Sequence, residues 1–99
     1  SIARYTDLYV IPLGEVARKE CFTIVNKLRR SGFVVEQSYG DRGLKGAMKA
    51  ADKSGARFVI VMGDAEISTG SVELKNMATG ESVSVTLSAL ATTLAEKSR

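Results

Sequence analysis

Hydrophobic residues follow two different periods along this chain, and the changes of period mark its predicted elements. Residues 8–11 form a short apolar run that ends at Pro12, as expected of a strand buried on both faces. Between residues 15 and 31 the apolar side chains recur every three or four positions, which predicts an amphipathic helix that ends at Ser31, before Gly32. Residues 33–36 predict a second strand that runs into a glycine-containing loop.

A second helix is predicted over residues 44–53, because its apolar and basic side chains occupy nearly opposite faces. The apolar face comprises Leu44, Ala47, Met48 and Ala51, and the basic stripe comprises Lys45, Lys49 and Lys53. Residues 57–62 then form the most β-like run, which we expect to be the central strand. The order strand, helix, strand, helix, strand is typical of an α/β fold with parallel strands.

The pattern changes again in the last third of the chain. Residues 71–76 alternate strictly between apolar and polar positions, which indicates a strand with one face in water. A turn at residues 78–80 predicts a hairpin with residues 81–85. A last helix is expected over residues 87–97, with Thr86 as its N-terminal cap.

Length and composition favour a surface function over a deep pocket. Ninety-nine residues, 44% hydrophobic and 25% charged, predict one small globular domain, residues 1–99. The chain contains no histidine, the commonest general base and metal ligand, and its one cysteine, Cys21, falls on the apolar face of the first helix. We therefore expect Cys21 in the core and no metal site. No apolar run approaches the roughly 20 residues of a membrane span, so we expect no such span, and a single cysteine without a secretory apolar segment predicts a cytoplasmic location.

Positive charge is concentrated in one segment, although the net charge is only +3. Residues 42–57 hold five basic side chains against one acid, Asp52. The stripe of Lys45, Lys49 and Lys53 fits two interpretations, a solvated helix face and a set of phosphate contacts. An anion or a nucleic-acid backbone would bind here first.

Candidate catalytic groups are weak, whereas candidate RNA contacts are better. Asp64, Glu66 and Glu73 are close in sequence but lack the spacing of a metal loop. Outward-facing Glu73 and Lys75 on a strand suit the base edges of an unpaired loop. Tyr39, in the loop, is the best candidate for stacking on a base, while Tyr9 suits the core.

Two segments carry a resemblance to a known family. The run ADKSGARFVIVMGDAE at residues 51–66 and the hairpin TGSVELKNM at residues 69–77, followed by TGE at 79–81, resemble the C-terminal anticodon-binding domain of class II aminoacyl-tRNA synthetases. Within that family the chain is most similar to the histidyl enzymes. The resemblance extends from about Asp7 to the last helix.

The resemblance implies a three-layer α/β/α domain with a five-stranded mixed sheet and three helices. It implies that this domain holds the tRNA anticodon stem-loop and needs no cofactor, while an absent catalytic domain ligates histidine to tRNA with ATP and Mg²⁺. It also implies a homodimeric parent enzyme and no membrane partner. The residues that it and the charge pattern assign to tRNA are Asp41, Arg42, Lys45, Lys49, Glu66, Glu73 and Lys75.

Two alternatives to a histidyl enzyme remain at this point. Prolyl-, threonyl- and glycyl-tRNA synthetases share the domain, and regulatory relatives use it for protein contacts. A small phosphate-binding enzyme is a third possibility, against which the absence of histidine argues.

Overall fold

The computed structural model describes residues 5–39 and 43–97, which fold as one five-stranded sheet with helices on both faces. The strands are β1 (Leu8–Pro12), β2 (Val35–Gln37), β3 (Phe58–Met62), β4 (Ser71–Asn76) and β5 (Ser82–Thr86). The helices of this part of the chain are α1 (Glu15–Arg30), α2 (Gly43–Lys53), α3 (Asp64–Thr69) and α4 (Leu90–Lys97), and a 3₁₀ turn (Leu87–Ala89) precedes α4. All three predicted helices are present, and α3 is an additional short helix.

The strand order is β2-β1-β3-β4-β5, so the predicted central strand does lie in the centre. β1 pairs in parallel with both β2 and β3, as the two helical crossovers require. β4 is antiparallel to β3, and β5 is antiparallel to β4. The sheet is therefore mixed, and its hairpin half carries the antiparallel pairs.

The two faces of the sheet are covered unequally. The larger core joins one face to α1 and α4, and includes Leu8, Ile60 and Leu74. The smaller core joins the other face to α2, and includes Tyr9, Ile11 and Val59. Both faces of β1 and β3 are thus buried, which explains their unbroken apolar sequences and confirms the three-layer α/β/α prediction.

Helix α2 packs over β1 on one face of the sheet. The half of that face formed by the β4–β5 hairpin stays exposed to solvent. On β4 the side chains of Val72 and Leu74 are buried in the larger core, while Glu73 between them is exposed. Ser82 and Ser84 on β5 are also exposed. The alternation read from the sequence of β4 therefore predicts both the buried and the wet face correctly.

Several local expectations need correction. Strand β2 begins two residues later than expected, because the Val34 N–H donates to the Asp7 carboxylate at 2.8 Å instead of pairing along a strand. Val16 and Leu44, expected on apolar helix faces, are exposed, since no neighbouring element covers those ends of α1 and α2 in the described part of the chain.

Thr86 occupies the predicted N-cap position, but its side chain makes no capping hydrogen bond. Its hydroxyl lies 3.3 Å from the Ser88 hydroxyl instead. The helix begins as a 3₁₀ turn, and the Leu87 N–H at its start donates to the Gly70 carbonyl at 2.9 Å. The Gly70 carbonyl, just before β4, thus replaces the expected Thr86 side chain as the partner for an unpaired N–H at the start of the helix.

Cys21 lies in the core, as predicted, with no exposed surface. Burial, and secondarily the charge of Glu20, raises the pKa of its thiol to about 12. Because the thiolate is the reactive form, this cysteine is expected to be inert in the folded protein.

We expect a thiol reagent at pH 8 to modify Cys21 only after unfolding. The raised pKa also favours the folded state fully below about pH 9, the ordinary pKa of the thiol, and this contribution declines as the pH rises towards 12. Urea denaturation of the wild type and of Cys21→Ala between pH 8 and 11 separates this contribution from that of lysines and tyrosines. Rapid modification in native buffer would contradict the assignment.

Candidate nucleic-acid interface

The uncovered half of the sheet presents polar side chains in a regular array, which we call the open face: Glu73, Lys75, Ser82 and Ser84. Glu73 lies opposite Ser84, and Lys75 lies opposite Ser82, across the β4–β5 ladder. On its other side Lys75 lies opposite Val59 of β3. The open face therefore borders directly on the apolar surface beside α2.

Two adjoining depressions run across this region. One, of about 210 Å³, has Val59 and Val61 at its base and Met48 of α2 along its side, and Glu66, Glu73, Lys75 and Ser82 also line it. The other, of about 300 Å³, is lined by α3, the first residues of β4 and Ser84 of β5, and it shares Glu66 and Glu73 with the first. Glu66 and Glu73 thus line both depressions. In the first they come together with Lys75, so it holds three of the residues assigned to tRNA from the sequence.

Glu66 is held in place by the end of the central strand. The Gly63 N–H donates to its Oε1 at 2.7 Å, which is half of a capping box at the start of α3. A Cβ on residue 63 would lie 3.2 Å from the same oxygen, so glycine provides the space for this contact. One carboxylate oxygen is thereby fixed, and the side chain is oriented before any ligand arrives.

Charges on the open face are not neutralised by one another. Within residues 5–39 and 43–97 the only ion pair at 4.0 Å or less is between Arg18 and Glu15, on α1. Lys75 is therefore not paired with Glu66 or Glu73 at that distance. A carboxylate can accept from the amino groups of bases, and an ammonium can donate to a base carbonyl or a phosphate.

The remaining assigned residues lie at the margin or outside the described residues. Lys45 and Lys49 are exposed on α2, on the side away from buried Ala47. Lys45 is three residues from Met48, so the two share neighbouring positions on the helix surface beside the first depression. Asp41 and Arg42 fall outside the described residues.

The structure adds functional candidates that the sequence analysis missed. Met48, Val61 and Ser82 line the first depression. Met48 and Val61 are apolar, so nothing in the sequence distinguishes them from core residues. Helix α3 was missed too, yet the acid at Glu66, three residues after Gly63, and the left-handed Gly70 (φ +72°) after its last turn are standard boundary signals.

Replacing Glu66 with alanine is expected to lower the free energy of unfolding by about 1 kcal/mol, because the Gly63 N–H loses its partner. Glu66→Gln keeps an acceptor oxygen at that position and loses only the charge assistance, so it should destabilise less than Glu66→Ala. Urea denaturation of both variants measures the difference. Equal destabilisation by the two would contradict the role given to this hydrogen bond.

Comparison with known proteins bears on the whole chain. A family model described as "Anticodon binding domain" matches residues 7–97. A histidine–tRNA ligase from Corynebacterium efficiens is 43% identical over 94 residues, which are 95% of this chain and 22% of that protein. A histidine–tRNA ligase from Mycobacterium tuberculosis is 48% identical over 81 residues, 82% of this chain and 19% of its own. The chain thus spans about a fifth of these relatives.

Solved structures agree with the architecture. Apo histidyl-tRNA synthetase from S. aureus superposes with a TM-score of 0.87 at 38% identity, covering 91% of this chain and 26% of that one. The RNA-binding domain of threonyl-tRNA synthetase from Cryptosporidium parvum superposes with a TM-score of 0.82 at 19% identity, covering 91% and 23%, and so shares the fold. With a family match over nearly its whole length, the chain belongs to the anticodon-binding domain family.

Proposed function

We propose that this chain recognises the anticodon of histidine tRNA, as the C-terminal domain of a histidine–tRNA ligase. The observation that carries the proposal is the first depression beside the open face, where Glu66 of α3 joins Glu73 and Lys75 around an apolar base. Family membership supports RNA as the ligand, and similarity to histidine–tRNA ligases supports the choice of tRNA.

Unpaired bases suit this surface better than a duplex does. Sequence-specific proteins recognise RNA mainly in loops, where splayed bases expose their edges and planes. In our proposal the edges of anticodon bases donate to Glu66 and Glu73 and accept from Lys75, while Met48 and Val61 contact the base planes. Because the Gly63 N–H already orients Glu66, little side-chain ordering is needed on binding.

Phosphate contacts would flank this site. We assign Lys45 and Lys49 to the backbone of the stem-loop, since both are exposed on the helix that borders the depression. Asp41 and Arg42 precede α2 in the chain and are proposed as further contacts to the anticodon loop.

Catalysis is assigned to the part of the ligase outside this chain. There, in our proposal, a homodimeric cytoplasmic enzyme joins histidine to tRNA with ATP and Mg²⁺, and this domain holds no cofactor of its own. The sequence has no histidine, and the described residues contain no group of three or more metal-ligating side chains. The described part also has no helix long and apolar enough to cross a membrane.

A binding comparison tests the proposal. Fluorescence anisotropy should show this chain binding the histidine anticodon stem-loop about 10-fold or more tightly than the same stem with a scrambled loop, since each bidentate base contact discriminates by roughly 1–3 kcal/mol. Both affinities should fall as salt rises. Equal affinities would leave only backbone attraction and contradict anticodon recognition, and absence of binding would favour the use of this domain for protein contacts.

A further inference from the structure

A third depression lies on the opposite face of the sheet from the open face, on the α1 side of the edge strand β2. It has a volume of about 230 Å³, with buried Val25 at its base. Its rim combines two aromatic, two amide and two guanidinium side chains: Phe22, Tyr39, Asn26, Gln37, Arg18 and Arg29. None of the described residues that line it is acidic.

The two aromatic side chains of this cavity are largely exposed. Phe22 retains 59% of its surface in water and Tyr39 retains 69%. Apolar side chains scattered singly over a surface need no explanation, but two aromatic residues that line one cavity indicate a binding site. Their rings offer flat apolar surface of the kind on which unpaired bases stack.

The polar side chains fit a nucleotide in the same place. Arg29 donates from Nε and Nη2 to the Val35 carbonyl, at 3.1 and 2.6 Å, so its guanidinium is fixed against the edge of β2. Arg18 is held only by an exposed contact of 3.5 Å with Glu15. Both guanidinium groups can donate to phosphate, while the amides of Asn26 and Gln37 can pair with a base edge.

We propose that this cavity binds one unpaired nucleotide of the tRNA, next to those read on the open face. The base packs against Phe22 and Tyr39, and its phosphate contacts Arg18 or Arg29. An acidic peptide could also contact the arginines, but two exposed rings beside two amides match the plane and the polar edge of a base together, so the lining favours RNA. The inference rests on the proposed function, because it assumes that the ligand is RNA.

One RNA molecule can reach both sites. Tyr39 follows β2, and Gly63, which positions Glu66, follows β3, so both lie at the carboxyl edge of the parallel strands. β2 and β4 are three positions apart in the sheet, about 14 Å at the usual strand spacing, and because the two sites lie on opposite faces the RNA has to pass around the carboxyl ends of the strands.

The test compares Phe22→Leu and Tyr39→Leu, which remove the ring and keep an apolar side chain. Each should weaken binding of the histidine anticodon stem-loop by about 5- to 100-fold, the usual effect of removing one stacking partner. Because stacking tolerates any base, the scrambled stem-loop should lose the same factor, and the preference between the two RNAs should be unchanged. Tyr5→Leu is the matched control, since Tyr5 is 61% exposed and precedes β1, at the amino ends of the parallel strands.

The outcomes separate this inference from the proposed function. Wild-type affinity in both leucine variants, with anticodon preference intact, would overturn the inference alone. Weaker binding of both RNAs by the variants, in a chain that shows no anticodon preference, would support the inference and contradict the proposed function. A chain that binds neither stem-loop, or that self-associates through Phe22 and Tyr39, would overturn the inference.

Discussion

Lys75→Glu is expected to weaken binding of the histidine anticodon stem-loop by about 10- to 100-fold, consistent with 1–3 kcal/mol for a specific base contact. The substitution removes the one cation among the described residues lining the first depression, and places a third carboxylate beside Glu66 and Glu73. The melting temperature should change little, because Lys75 is only half-buried and forms no ion pair with the described residues. Anisotropy titration and thermal denaturation of the same preparation measure both effects.

Lys27→Glu is the matched control for this charge reversal. Lys27 is exposed on α1, where it lines neither the first depression nor the cavity of Phe22 and Tyr39. It should lower the affinity for any RNA only slightly and leave the preference for the histidine anticodon intact. An equal loss of affinity in both variants would show that net charge, and not the open face, governs binding.

Leu74→Ala is expected to have the largest effect on stability. Leu74 precedes Lys75 on β4 but points to the other face, where it is 1% exposed within the larger core. Truncating a buried leucine leaves a cavity and costs about 2–5 kcal/mol. In a domain of this size that corresponds to a melting temperature lower by roughly 10–30 °C.

Ser84→Ala provides the comparison on the wet side of the same hairpin. Ser84 is exposed, so its replacement should change the free energy of unfolding by less than about 0.5 kcal/mol. Urea denaturation of the two variants tests the assignment of faces. A Leu74→Ala variant that melts within a few degrees of the wild type would place that side chain outside the core.

The contrast between Leu74 and Lys75 shows how far the sequence alone could predict the site. Strict alternation on β4 assigned both faces of the strand, and the short apolar run of β1 correctly indicated burial on both sides. These patterns were readable because period-two alternation directly reports which side of a sheet is covered.

Other features depend on tertiary contacts that no local pattern encodes. Val16 and Leu44 have helical spacing, but whether a neighbour covers them depends on how elements pack. Helix α3 spans only six residues, too few for periodicity to show. Met48 lines the first depression because α2 covers only part of the sheet face on which it packs. This apolar residue therefore lies beside the charged side chains of the open face.

Anticodon recognition on the open face is tested most directly by a chemical-shift titration of the ¹⁵N-labelled chain with the histidine anticodon stem-loop and with its scrambled counterpart. Our account predicts large shifts at Glu66, Glu73 and Lys75 that only the histidine loop produces. Equal shifts with both RNAs, confined to Lys45 and Lys49, would contradict it, because they would show attraction to the phosphate backbone without recognition of the anticodon.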